Sequence, residues 1–153
     1  MKKIALATLL AMTAIATTAQ AVEVGVVGGT DFVDGRNDRG TFGLTVGQHF
    51  GAFSVTGEAD REIKSNTNKY SLVGGYDVAK FGTATFTAKA GVAYLDNAAV
   101  NNSNRYVGLV GAGVTIPVTT KVSATVDYRY QDGSDTAKKF NGNTVLVGAK
   151  YSF

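Results

Sequence analysis

The chain has 153 residues, with 15 Lys and Arg against 12 Asp and Glu, 19 glycines, one proline and no cysteine. That length allows one domain, and the lack of cysteine excludes disulfide frameworks, thiol catalysis and thiolate metal sites. The net charge of +3 owes much to Lys2 and Lys3, without which 13 basic residues meet 12 acidic ones; these are mixed along the chain, which excludes an electrostatic footprint for nucleic acid.

Residues 1–21 read as a removable signal peptide. Lys2 and Lys3 form its positive start, Ile4 to Ala16 its apolar stretch, and Thr17-Thr18-Ala19-Gln20-Ala21 a small-x-small cleavage site, with the cut expected after Ala21. The apolar run is too short for a membrane anchor, which needs about 20 residues. The domain proper is then 22–153.

Past residue 21 the recurring pattern is alternation with a period of two, the signature of strands with unlike faces. In Thr41 to Phe50, Phe42, Leu44, Val46 and Phe50 share one face, with Gln48 the exception; Thr41, Gly43, Thr45, Gly47 and His49 share the other. In Lys121 to Gln131, Val122, Ala124, Val126, Tyr128 and Tyr130 alternate with Ser123, Thr125, Asp127, Arg129 and Gln131. In the last segment Val145, Val147, Ala149, Tyr151 and Phe153 alternate with Thr144, Leu146, Gly148, Lys150 and Ser152. Eight strands are predicted, at 22–31, 40–50, 52–61, 68–79, 82–95, 104–117, 120–131 and 143–153. The connections near Gly51, Phe81-Gly82 and Val118-Thr119 are tight turns, whereas 32–39, 62–67, 96–103 and 132–142 are longer, polar and rich in Asp, Asn, Gly and Ser.

An even strand number with short turns at one end and longer loops at the other predicts an all-β fold, an eight-stranded antiparallel up-and-down transmembrane β-barrel. A ten-residue strand rises about 33 Å, and a tilt near 45° projects this to about 23 Å, close to the roughly 25 Å apolar band of such barrels. The polar face carries Glu23, Glu58, Asp60, Asp77 and Asp127 with Lys69, Lys89, Arg105, Arg129 and Lys150. A soluble barrel would expose the apolar stripe to water or bury these ten charges with no apolar core, and large exposed apolar patches are rare. Turned inward, the charges can pair in a lumen that eight strands make just wide enough for side chains. Phe32, Phe42, Tyr70, Tyr94, Tyr106 and Tyr128 or Tyr130 gather near the long-loop end. Phe50, Phe53, Phe81, Tyr151 and Phe153 gather near the short-turn end, giving two aromatic belts for two membrane interfaces.

With these features the chain resembles the small eight-stranded outer-membrane β-barrel proteins, the OmpX/Ail type and the transmembrane domain of OmpA, over the whole of 22–153. The most specific likeness is the final strand, Val145 to Phe153. The resemblance implies that Val145, Val147, Ala149, Tyr151 and Phe153 form the signature read by the barrel-assembly machinery. It also implies a bacterial outer-membrane location, contact with outer-membrane lipid and lipopolysaccharide, and a monomer. No peptidoglycan-binding domain is expected after the barrel, and the loops look too short for the protruding strands of some adhesive members.

No catalytic constellation emerges. The single histidine, His49, points into the lumen near the short turns, without a His-x-Ser motif or further ligands, and reads as structural. Asp31, Asp34 and Asp38 in the first loop and Asp132 and Asp135 in the fourth could offer oxygen ligands to a hard cation, but turn chemistry explains them better. Lys138-Lys139 with Phe140 suggests at most a weak lipopolysaccharide contact, and Gly108-x-x-Gly111-x-Gly113 has the wrong order for a dinucleotide fingerprint. The expectation is a non-enzymatic barrel contributing to envelope structure, with no cofactor and no metal. A small pore, or an adhesin acting through loops 32–39 and 132–142, are the alternatives.

Overall fold

A computed structural model describes residues 21–33, 38–63, 67–97, 105–133 and 141–153. The expected signal peptide therefore lies outside the described residues, as do Asp34, Asp135, Lys138, Lys139 and Phe140. Eight strands follow one another: β1 (Val22–Val33), β2 (Arg39–Phe50), β3 (Phe53–Glu62), β4 (Thr67–Phe81), β5 (Ala84–Asn97), β6 (Arg105–Pro117), β7 (Val122–Asp132) and β8 (Gly142–Ser152). Each pairs antiparallel with the next, and β8 returns to β1 in a register running from Glu23 opposite Ser152 to Val33 opposite Gly142, so the sheet closes into a barrel. Closure leaves no edge strand, the condition for a sheet to lie in lipid where unpaired N–H and C=O groups find no water. The chain is an eight-stranded antiparallel up-and-down transmembrane β-barrel.

The tight turns have local causes. Gly51 and Gly82 sit between consecutive strands with φ of 67° and 58°, a left-handed backbone that glycine adopts without a Cβ clash. Between β6 and β7, Pro117 is the last strand residue, and the Thr119 hydroxyl oxygen accepts the amides of Lys121 and Val122 at 3.2 and 3.0 Å. One irregularity occurs in β4. Asp77 pairs with Thr87 but Ala79 with Phe86, so Val78 is bulged.

Alternation sorts side chains as in a membrane protein rather than a soluble one. Val26, Leu44, Val55, Leu72, Val92, Val110, Val126 and Val147, one from each strand in order, form an exposed apolar ring around the outside. Among the described residues sixteen buried ones are polar or charged and seven hydrophobic, the reverse of a soluble core. The aromatics cluster toward both rims. Tyr94 packs on Tyr106 at 5.4 Å near the long loops, and Tyr151 on Phe153 at 5.1 Å near the short turns. Tyr76 and Phe86, not foreseen in the short-turn belt, join it through contacts with Phe53 at 4.9 Å and Phe81 at 5.7 Å.

Two expectations need correction. Asp31 is not a loop residue, because β1 continues to Val33 and places Asp31 in the lumen with no exposed surface. The lumen is also not uniformly polar. Val73, Ala93, Leu95, Val107 and Leu109, on the inward face of β4, β5 and β6, form a buried apolar cluster. Inward positions near one wall can touch each other before they reach the charges on the far wall, so apolar contact is favourable there.

Val126 faces outward midway along β7. Val126→Arg is expected to destabilise the folded barrel by about 2–4 kcal/mol, the cost of an arginine near the bilayer midplane. Reversible unfolding from lipid vesicles in guanidinium measures it, and an unchanged midpoint would mean that the faces are assigned the wrong way round.

Candidate functional site

The lumen is where the charged residues meet. Arg129 on β7 reaches across to Glu58 on β3, four strands away in a ring of eight and so on the opposite wall. The guanidinium is bidentate: Nη1 donates to Glu58 Oε2, and Nη2 donates to Oε1 at 2.8 Å. Nη2 also donates to Asp127 Oδ2 at 3.0 Å, and Lys89 Nζ donates to Asp127 Oδ1 at 2.5 Å. Three strands are thus tied by one layer of alternating charge, Glu58, Arg129, Asp127 and Lys89. Arg suits the central place, because its planar fork matches a carboxylate with two parallel hydrogen bonds and keeps its charge when buried.

The wall beside this layer, between β5 and β7, is cut back to accommodate it. Gly111 and Gly113 on β6 stand in register with Arg129 and Asp127. A Cβ at Gly113 would lie 3.0 Å from Lys89 Cε and overlap the Asp127 carboxylate. The glycine is required there by close approach of side chains, not by its backbone angles.

Toward the long loops the interior is tightly buried. Lys69 Nζ stands 3.7 Å from Asp60 Oδ2, Arg39 Nη1 donates to Glu62 Oε2 at 2.9 Å, and the Thr144 hydroxyl donates to Asp31. Toward the short turns the groups are more open. Glu23 Oε2 lies 3.4 Å from His49 Nε2 and accepts from Lys150 Nζ at 3.5 Å, and Ser152 Oγ donates to Glu23 Oε1 at 3.3 Å. Asp77 accepts from Thr87 Oγ1 at 2.9 Å.

Of the ten charges assigned to the lumen, Glu23, Glu58, Asp60, Lys69, Asp77, Lys89, Asp127, Arg129 and Lys150 are placed there, in the separate groups just described. Arg105 opens β6, but its side chain lies outside the described residues. Three members were missed. Asp31, Arg39 and Glu62 lie on the same alternating face as their neighbours; extending the period by one residue would have found Arg39 and Glu62, whereas Asp31 already closed the predicted first strand and was read as a loop ligand instead. Val145, Val147, Ala149, Tyr151 and Phe153 lie on the opposite, outward face from Lys150, with Lys121 Nζ 5.7 Å above the Tyr151 ring. Asp132 ends β7 and accepts from Asn141 Nδ2 at 2.5 Å, an arrangement of a loop base, and Asp38 is exposed. Among the described residues no group of three or more His, Asp or Glu is disposed to hold a metal ion.

No family model matches the sequence, and no curated protein matches it either. Solved structures do. The crystal structure of Neisserial surface protein A is similar over 89% of this chain and 98% of that one, with TM-score 0.63 and 16% identity. The Yersinia pestis outer membrane protein Ail, in a phospholipid nanodisc, is similar over 86% and 99%, with TM-score 0.53 and 16% identity. A de novo designed transmembrane β-barrel is similar over 87% and 95%, with TM-score 0.58 and 18% identity. The fold is that of the small eight-stranded outer-membrane barrels.

Glu58 and Arg129 are each about 5% exposed or less, so both are largely withdrawn from bulk solvent. Arg129→Ala leaves Glu58 and Asp127 buried without their shared cation. It should cost about 3–5 kcal/mol, the usual penalty for removing one partner of a buried pair. Urea titration of the refolded protein, read by the unboiled gel band, checks this, and a loss below about 1 kcal/mol, typical of exposed pairs, would show the layer to be solvated.

Proposed function

We propose that the protein is a non-conducting barrel of a bacterial outer membrane that contributes to envelope structure. It is exported by cleavage after Ala21, inserted through the terminal strand ending at Phe153, and surrounded as a monomer by outer-membrane lipid and lipopolysaccharide. The observation that carries this reading is the Glu58–Arg129 bridge between opposite walls. An ion crossing the lumen would have to part that pair and leave charges unpartnered in a poorly hydrated interior, at several kcal/mol per ion. Beside it the apolar cluster of Val73, Ala93, Leu95, Val107 and Leu109 offers nothing to replace an ion's hydration shell.

A non-enzymatic role is supported by the disposition of the one histidine. His49 Nε2 stands 3.4 Å from Glu23 Oε2, which Lys150 and Ser152 also contact, so the imidazole belongs to the ion-pair group at the short-turn end.

Refolded protein in planar bilayers is expected to insert without discrete conductance steps. Steps that recur in independent preparations would overturn the non-conducting reading in favour of a small pore. Deleting the gene is expected to raise sensitivity to detergents, and unchanged sensitivity would remove the envelope role while leaving the architecture standing.

A further inference from the structure

The connection between β7 and β8 is closed at its base by two short steps of the same kind, each an acid or amide followed by glycine. Asp132 ends β7 and Gly133 follows it, while Asn141 precedes Gly142, the first residue of β8. Asn141–Gly142 is the one Asn–Gly step in the sequence. The two steps are bonded to each other. Asn141 Nδ2 donates to Asp132 Oδ1 at 2.5 Å, and Gly133 N donates to Asn141 Oδ1 at 2.8 Å. Both polar ends of the Asn141 side chain are thus held by the facing dipeptide.

An asparagine before glycine is chemically labile. Gly142 has no side chain to hinder its backbone, so in a loose chain its nitrogen can fold back onto the Asn141 side chain. The deprotonated nitrogen forms a bond to Cγ, the Cγ–Nδ2 bond breaks, and ammonia leaves with the proton that the backbone amide gave up. Water then opens the resulting succinimide at one of its two carbonyls. One opening leaves aspartate at position 141 and the other leaves isoaspartate, with the backbone running through the former side chain.

In the folded barrel this approach is hindered twice. Reacting atoms must come within about 3–3.5 Å in the right orientation. Gly142 is set in the sheet between Gln131 and Val33, so its nitrogen cannot turn toward Cγ without leaving that register. The Asn141 side chain cannot rotate to meet it without giving up both hydrogen bonds to Asp132 and Gly133.

We propose that Asn141 is a site of spontaneous deamidation in chains that have not closed, and that the clamp with Asp132 and Gly133 keeps it an amide in the folded barrel. The modification also hinders closure. Aspartate at position 141 sets a carboxylate against Asp132 where an amide donor stood, and like charges so placed repel. Isoaspartate lengthens the backbone by one carbon next to Gly142, which disturbs the entry of β8 into its register with Gln131 and Val33. The site lies at a loop base and does not depend on whether the lumen conducts.

The protein is aged at mildly alkaline pH, refolded in phospholipid vesicles in one sample and unfolded in urea in another. Peptide mass spectrometry reads the change from amide to acid at position 141. The folded barrel should deamidate roughly thirtyfold more slowly, the factor that two hydrogen bonds, one of them to a carboxylate, place on local opening. In urea Asn141 should react ahead of every other asparagine, and Gly142→Ala should slow it. Asp132 is exposed, and Asp132→Ala is checked for the folded gel band before use. When folded it should deamidate about tenfold faster than the unsubstituted barrel, for the loss of one charge-assisted hydrogen bond, and in urea at the same rate. Equal rates in the folded and unfolded protein would overturn the protection, and this comparison decides it whatever the variant does. An unchanged folded rate in Asp132→Ala would overturn the clamp as its cause. Another asparagine reacting first in urea would overturn the site. Chains aged in urea and then refolded should show isoaspartate enriched in the unfolded gel band; an even division between the bands would overturn the effect on closure.

Discussion

The bridge between Glu58 and Arg129 sets the terms for the rest of the interior. It joins β3 to β7 across the full width of the lumen, and the dimension it must span is set by the number of strands. Once the guanidinium occupies the centre, Asp127 needs Lys89 as its second partner, and β6 must present glycine where those side chains cross. On the short-turn side Thr45, Ser54, Thr56, Thr87 and Thr115 share a small cavity with Val27 and Val73, and toward the long loops the interior holds buried apolar and paired groups. Buried ion pairs contribute little net stability compared with well-packed apolar residues. Their consequence here is register. A one-residue slip of β3 or β7 would turn Glu58 or Arg129 into lipid, so the pair penalises every wrong pairing of those strands.

The outer surface obeys the complementary constraint. Lipid demands that all backbone polar groups be paired within the sheet and that what faces out be apolar. Exposed aliphatic side chains on all eight strands satisfy the second condition, and the β1–β8 seam satisfies the first. Gln48 is the exception on the outer face. It is only 6% exposed beside Val22 and Val55, toward the short-turn rim where the bilayer becomes polar. Aromatic rings at both rims belong to the same arrangement, since their amphipathic edges sit where hydrocarbon meets headgroup.

The legible part of the fold was whatever follows from a period of two. Thr41 to Phe50 and Lys121 to Gln131 show it so regularly that strand and face could be read together. Strand ends were less secure, because the pattern fades into polar residues that suit a loop or a lumen equally. Asp31 was assigned to a turn on that ground and is instead a buried partner of Thr144. Arg39 and Glu62 were left outside their strands for the same reason, although they form an ion pair of their own. Leu146 was placed on the inward face, yet the apolar cluster formed by Val73, Leu95, Val107 and Leu109 was not anticipated. Isolated inward apolar residues on separate strands give no local signal of contact.

By itself the sequence determined the number of strands, their two faces, the alternation of short and long connections and the outward position of the apolar side chains. All of these depend on neighbours a few residues apart. Only the closed barrel decided which inward residues meet. Glu58 and Arg129 are 71 residues apart and carry no mutual signature in the chain. Their contact depends on closure, which sets the two strands on opposite walls at a distance that two long side chains can bridge.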